Sequence, residues 1–181
     1  MPDPEFVLLG DACWLDFVNT MRGRSADPPD LLPDPAAYHR WTRAQKLASD
    51  VEEIAFAEIL AFRRQLGALA GALSAGRQAP GSSVAAVNAV LARQPGHEQL
   101  VRTSGRWSVR LAPERPLRAL EVVARSAAAT LADPGHMVRQ CAAEPCSLVF
   151  LDSSTTQSRR WCSATVCGGR GRIERRRGLL R

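Results

Sequence analysis

Two cysteine pairs, Cys141-Ala-Ala-Glu-Pro-Cys146 and Cys162-Ser-Ala-Thr-Val-Cys167, decide the fold of the C-terminal quarter of the chain. Four residues separate the members of each pair, and fifteen residues separate the pairs. Zinc prefers four soft ligands in a tetrahedron, with sulfur at about 2.3 Å. Because all four positions are thiols, none is left open for a substrate. The spacing therefore predicts one structural zinc ion.

The segment around these cysteines is too short to fold on a hydrophobic core alone. About 45 residues bury little apolar surface, so a bound metal ion is expected to stabilise this segment. The acidic N-terminus lacks the basic region of a secretory signal, which disfavours a disulfide framework. Reduced structural thiols and a redox pair remain as alternatives to zinc.

The basic charge of the chain lies in the same segment. The 181 residues carry 24 Lys+Arg and 18 Asp+Glu, a net charge of +6. Residues 1–136 hold 15 basic and 15 acidic residues, whereas residues 137–181 hold 9 basic and 3 acidic ones. This asymmetry favours an anionic partner, nucleic acid before a membrane surface. Since no apolar run approaches the ~20 residues of a membrane helix, we expect a cytoplasmic protein without membrane association.

A basic helix is predicted after the second cysteine pair. Ser163 can cap a helix that runs to about Leu180, with Val166, Ile173 and Leu180 on one stripe and arginines roughly opposite. Glycines 168, 169 and 171 oppose helix formation. A solvated tail is the alternative to phosphate contact. The candidate DNA-binding residues are Arg159, Arg160, Arg170, Arg172, Arg175 and Arg176.

The rest of the sequence predicts a mixed, mostly helical domain. The expected elements are a strand at 6–10, a segment at 14–20 that is either helix or strand, and a loop at 23–33. Helices are expected from Asp34-Pro35, from a capping box at 50–53 to about 73, from Ser83, and over 116–131. A β-hairpin is expected to turn at Ser104-Gly105. Asp133-Pro134-Gly135 ends the last helix. We therefore predict an α+β fold: a mostly helical domain at 1–135 with a small β-hairpin, and a zinc-finger domain at 136–181 of short strands plus a basic helix.

Several motifs resemble two known families. The C-terminal segment resembles the CGNR zinc finger through its cysteine pairs and through Phe150-Leu151-Asp152, Arg159-Arg160-Trp161-Cys162-Ser163 and Cys167-Gly168-Gly169-Arg170. Leu15-Asp16-Phe17-Val18-Asn19-Thr20, with Asp30-Leu31 and Trp41 after it, resembles the ABATE domain of bacterial stress-induced transcription regulators. The resemblance implies zinc on the four cysteines, DNA binding by the finger and ligand sensing by the first domain. Gly169 stands where the finger family has its signature asparagine, a change that removes no zinc ligand.

Three polar residues of the N-terminal motif are candidate ligand-binding residues. If residues 15–20 are helical, Asp16, Asn19 and Thr20 share a face and can line a pocket. The preferred alternative is that they fix local structure by hydrogen bonding. No nucleophile–base pair, paired carboxylates or phosphate-binding loop is apparent, so we expect a protein that is not an enzyme.

Together these features predict a zinc-containing transcription regulator that binds double-stranded DNA. The first domain would sense a small-molecule ligand, and a homodimer is expected by analogy with regulators that bind paired half-sites. Two other hypotheses stay open: a zinc-stabilised protein-interaction module, and a thiol redox sensor in which nearby arginines lower thiol pKa values.

Overall fold

The computed structural model describes residues 6–49 and 54–169. Within these ranges the helices are α1 Cys13–Asn19, α2 Pro35–Ala44, α3 Phe56–Ser74, α4 Gly81–Leu91 and α5 Ala119–Ala132. The strands are β1 Gly96–Thr103, β2 Arg106–Pro113, β3 Met137–Gln140 and β4 Val149–Asp152. The α+β class predicted from the sequence is confirmed. No helix in these ranges is both long and apolar enough to cross a bilayer.

Helix α1 lies at the centre of the main core, which resolves the ambiguity over residues 14–20. Trp14, Leu15, Phe17 and Val18 are fully buried there. The Phe17 ring lies 4.9 Å from the ring of Trp41 on α2. In the same helix, Trp14 Nε1 donates to the Thr130 hydroxyl of α5 at 2.9 Å. Helix α1 therefore contacts both α2 and α5.

The predicted start of α2 is confirmed, whereas α4 begins before the predicted Ser83 and α5 begins after the predicted residue 116. Asp34 caps α2 and accepts from the Ala37 N–H at 2.7 Å. Helix α4 begins at Gly81, and Ser83 lies inside it with its hydroxyl donating to the Gln65 carbonyl. This bond fixes α4 against α3 and explains why the serine is buried.

Helix α5 begins later than predicted because the residues before it pair with the segment that follows α2. The Ala119 N–H donates to the Ala48 carbonyl at 2.8 Å, and Ala48 forms a β-bridge with Arg118. Arg118 is therefore extended and α5 begins at Ala119 rather than at 116. Helix α3 begins at Phe56, while the predicted capping box at 50–53 lies outside the described residues.

The predicted β-hairpin is confirmed. Strands β1 and β2 pair antiparallel from Gly96↔Pro113 to Thr103↔Arg106. Ser104 and Gly105 both have positive φ, 49° and 81°, as a two-residue type I′ turn requires. Within the described residues this sheet has two strands, so the hairpin extends from the helical core without a third strand.

A second two-stranded sheet follows α5. Strands β3 and β4 pair antiparallel in the register Met137↔Asp152. The strand predicted at residues 6–10 is wrong, since that segment has no regular structure. Its last residue contacts this sheet, because the Gly10 carbonyl accepts a hydrogen bond from the Leu151 N–H of β4 at 2.8 Å. Val138, Val149 and Leu151 belong to the same buried core as α1, so the C-terminal segment packs directly on the helices.

Candidate metal centre

The four C-terminal cysteines converge at one end of the β3–β4 sheet. Cys141 follows β3 and Cys146 precedes β4, while Cys162 and Cys167 come from the chain after that sheet. Their Sγ atoms all lie within 4.8 Å of one another, and all four residues are buried. The Cys146–Cys162 and Cys162–Cys167 sulfur separations are 3.9 and 3.6 Å. The two predicted pairs therefore form one cluster.

This cluster fits a tetrahedral zinc ion. Four sulfurs at about 2.3 Å from one ion are about 3.8 Å apart, which agrees with the measured separations. Burial, followed by repulsion from Cys141, raises the pKa of the Cys146 thiol to about 11. Burial and the neighbouring thiols raise the pKa of Cys162 too. Because a dry cluster opposes several negative charges, four thiolates need a cation between them.

Backbone hydrogen bonds position three of the four cysteines. The Cys141 N–H donates to the Leu148 carbonyl at 2.9 Å, and the Cys146 N–H donates to the Ala143 carbonyl at 2.8 Å, so the first pair lies on a tight turn. In the second pair, the Cys167 N–H donates to the Ser163 carbonyl at 3.1 Å. The predicted cap is also present, because the Ser163 hydroxyl accepts from the Val166 N–H at 3.2 Å. The rest of the predicted basic helix, from residue 170, lies outside the described residues.

Arg159 supports the cysteine loop from outside. Its Nη2 donates to the Cys162 carbonyl at 2.6 Å and its Nε to the Trp161 carbonyl at 2.9 Å, while Nη1 pairs with the Asp11 carboxylate. Its guanidinium carbon also lies 4.4 Å from the centroid of the Phe150 ring. All of these contacts are made within the protein, so the placement of the Arg159 side chain does not support the prediction that it contacts DNA.

Asp152 at the end of β4 links the sheet to this loop. Its side chain is buried and accepts from Arg139 Nε at 3.0 Å, from the Arg159 N–H at 2.9 Å and from the Ser154 hydroxyl at 2.6 Å. Burial opposes its ionisation, but these hydrogen bonds prevail and lower the pKa of the Asp152 carboxyl. The cysteine spacing gave no indication that Asp152 is a structural residue. The sequence signal that could have identified it is a polar residue at the end of a buried strand.

Among the other arginines predicted to bind DNA, only Arg160 lies within the described residues. It is exposed and stacks over Trp161 at 5.5 Å. Arg170, Arg172, Arg175 and Arg176 lie outside them. A Cβ at Gly169 would meet no atom within 4 Å, so the asparagine of the finger family would fit at this position without disturbing the cysteines.

The three candidate ligand-binding residues are buried and bonded to the protein. Asn19 Nδ2 donates to the Val149 carbonyl at 2.9 Å, and its Oδ1 accepts from the Val149 N–H at 3.0 Å. Asp16 accepts from the Gly10 N–H and from Gln45. Thr20 accepts from Arg63 at 2.9 Å. These contacts favour the structural role, and Asn19 in particular holds β4 against α1.

Ser147, which the sequence analysis did not identify, joins the first cysteine turn to the end of α1. Its N–H donates to the Gly23 carbonyl at 2.8 Å, and its hydroxyl accepts from the Gly23 N–H at 3.1 Å. Arg22 Nη1 donates to the Ser147 carbonyl at 3.2 Å. A cavity of about 450 Å³ opens at this junction, lined by Met21, Arg22, Pro28, Arg64, Gly67 and Ser147.

Two families match this chain. The ABATE family, described as "Putative stress-induced transcription regulator", matches residues 11–134, and the CGNR zinc finger matches residues 137–178. Neither description is that of an enzyme. No curated protein matches the chain. With the geometry above, the finger match assigns one structural zinc to Cys141, Cys146, Cys162 and Cys167.

Proposed function

The chain belongs to the ABATE family and ends in a CGNR zinc finger, and we propose that it is a DNA-binding transcription regulator. The observation that carries the proposal is the position of the metal centre directly before the basic end of the chain. Cys167 is a ligand, and residues 170–181 contain six arginines and one glutamate. Zinc therefore fixes the residue of the finger that comes just before the basic segment in the sequence.

The DNA contacts are assigned to Arg160, Arg170, Arg172, Arg175 and Arg176. Arg160 is exposed beside the second cysteine pair, so its charge is available to a phosphate. Arg159 is omitted because its guanidinium already bonds to Asp11 and to two carbonyls of the cysteine loop. Arginines of this kind position a protein on the duplex through phosphates, and most of the affinity then depends on salt.

Ligand sensing is assigned to the junction cavity rather than to Asp16, Asn19 and Thr20. Two arginines, Arg22 and Arg64, and no acidic residue are among the described residues that line the cavity, so a small anion is the class of ligand that suits it. An anion there would touch Ser147, which adjoins the ligand Cys146. Thermal shifts with inorganic phosphate test this assignment. Arg64→Ala should abolish the shift, and an equal shift in that variant would contradict the site.

The DNA proposal is tested by fluorescence anisotropy of labelled duplex DNA, titrated with the zinc-loaded chain at several salt concentrations. For each phosphate neutralised, log K should fall with log salt by a slope of about 0.9. Replacing Arg172, Arg175 and Arg176 by alanine should reduce that slope by about 2.7 if each contacts one phosphate. The control replaces Arg43, Arg77 and Arg125, which are exposed arginines of the helical part, and changes the net charge equally.

The same titration distinguishes the other hypotheses. Equal losses in the two triple variants would indicate only a net-charge effect and would contradict binding by the C-terminal arginines. No binding at low salt would leave a protein-docking role for the zinc module.

The redox hypothesis is disfavoured because all four thiols are buried, whereas redox-sensor cysteines are accessible. Removal of zinc should abolish DNA binding, and undiminished affinity in a zinc-free sample would overturn the mechanism.

A further inference from the structure

The β1–β2 hairpin exposes an unusual group of apolar side chains. Leu100, Trp107 and Val109 each retain about three-fifths of their maximal exposure, at 61, 62 and 61%. The pairing places Leu100 opposite Val109 and Arg102 opposite Trp107, and Glu98 lies opposite Leu111. Because paired residues share a face, all six side chains lie on one side of the ribbon. We call this set the apolar hairpin face.

Nothing in the described part of the chain covers this face. The hairpin forms a sheet of two strands, and an isolated two-stranded hairpin is only marginally stable in water. Large apolar groups that cluster in the open usually mark an interaction site. The opposite face differs in character, because it carries His97, Gln99, Arg106 and Arg110.

We propose that the apolar hairpin face binds the same face of a second copy of this chain. The order of charges along β1 carries the argument. Glu98, Leu100 and Arg102 alternate along the strand, with the leucine midway between opposite charges. A two-fold axis through the Leu100–Val109 pair, perpendicular to the strands, places Glu98 of one copy against the partner's Arg102. The same axis places Trp107 against the partner's Leu111, so every member of the face meets a complementary residue.

This self-complementarity favours a second copy over DNA. On this face a nucleic acid would be repelled by Glu98, would gain nothing from three exposed apolar side chains, and would find a single phosphate partner in Arg102. The basic residues Arg106 and Arg110 point away from the proposed interface and stay exposed in the dimer. The proposal goes beyond the proposed function and is independent of DNA binding.

The contact is small. Six side chains on each copy cover less than the ~800 Å² per partner of a standard stable interface. We therefore expect a dimer that dissociates in the micromolar range. Sedimentation velocity of the zinc-loaded full chain, over about 1–200 µM and without DNA, should show the sedimentation coefficient rising with concentration.

Charge reversal tests the axis itself. Glu98→Arg would place two arginines together and Arg102→Glu two glutamates, so each variant should remain a monomer over this range. The double variant E98R/R102E restores opposite charges across the interface and should dimerise again. Arg110→Glu, on the opposite face, has the same charge change as Arg102→Glu and should dimerise like the unmodified chain. Circular dichroism and zinc content check that each variant is folded.

Three outcomes would overturn the proposal. The unmodified chain could stay monomeric at every concentration, or Glu98→Arg could leave the dimer intact, which would place the interface elsewhere. The third outcome is that the double variant E98R/R102E stays monomeric. A monomeric chain in which Arg102→Glu weakens DNA binding more than Arg110→Glu would instead identify the hairpin as a nucleic-acid surface.

Discussion

Asn19 shows how one side chain can connect two parts of this molecule. Its amide pairs with both backbone groups of Val149, as a neighbouring strand would. The residue is only 2% exposed, so water cannot easily replace the amide. A buried backbone group left without its partner costs about 1–3 kcal/mol. Asn19 is therefore a structural residue of the contact between α1 and β4.

Replacing Asn19 by alanine should lower the free energy of unfolding by about 3 kcal/mol, since two Val149 groups lose their partners. Asn88→Ala is the matched control, because Asn88 is exposed on α4 and its replacement in a helix should be neutral or slightly stabilising. Urea denaturation measures both variants. Equal stabilities would show that water or backbone movement satisfies Val149 without the amide.

Asp16 predicts a pH dependence of stability. Burial raises the pKa of its carboxyl to about 6 from an ordinary 3.8. Between these values the folded state binds more protons than the unfolded state, so stability falls as pH rises toward 6 and then levels off. Asp16→Asn removes this term. The stability of the variant relative to the unmodified protein should thus rise by on the order of 1 kcal/mol from pH 5 to 7.

The comparison is made by urea denaturation at each pH with zinc present. Using the difference between the two proteins removes contributions that they share, including protonation of the cysteines. A difference that does not change from pH 5 to 7 would mean that the bonds from Gly10 and Gln45 keep the pKa of Asp16 near its ordinary value.

At the scale of elements, local signals predicted structure where local contacts decide it. The α2 cap at Asp34 and the hairpin turn at Ser104-Gly105 depend on neighbouring residues alone, and both are found. The cysteine spacing likewise predicted the metal centre. One of the contacts that set the start of α5 joins Ala48 to Ala119. Residues so distant in sequence give no periodic signal, so this boundary could not be predicted.

The start of α5 depends on one carboxylate. Glu121 accepts from the Arg118 N–H at 2.9 Å and from both terminal nitrogens of Arg115. Burial opposes its ionisation, but these bonds lower the pKa of the Glu121 carboxyl. Its stabilising contribution is therefore present above the ordinary pKa near 4.5 and is lost as pH falls through the lower folded value.

Glu121→Ala should destabilise the protein by about 2 kcal/mol at pH 7, because it removes the ion pair with Arg115 and the cap of α5. Glu114→Ala replaces an exposed glutamate nearby and should change stability by less than about 0.5 kcal/mol. Thermal and urea denaturation compare the two. If both substitutions cost the same, the Arg115–Glu121 pair contributes no more than an exposed ion pair.

At the scale of the whole molecule, the zinc module and the helices share contacts that neither could make alone. Val138, Val149 and Leu151 complete the core around α1, and Ser147 bonds to Gly23 beside the ligand Cys146. The packing is therefore continuous across the domain boundary that was predicted at residue 135, and the four cysteines of the metal centre all follow that residue.

Chelation of zinc should for this reason destabilise the helices as well as the finger. Loss of the ion removes the four zinc–sulfur bonds that hold the cysteines together, and zinc binding contributes free energy to folding. A loss of several kcal/mol would lower Tm by more than about 10 °C, at roughly 3 °C per kcal/mol for a chain of this size. Far-UV circular dichroism, which follows the helices, should show one transition with or without chelator, at a lower temperature with it. A helical transition whose Tm is unchanged by chelation would mean that the contacts of Asn19 and Ser147 join two parts that fold independently.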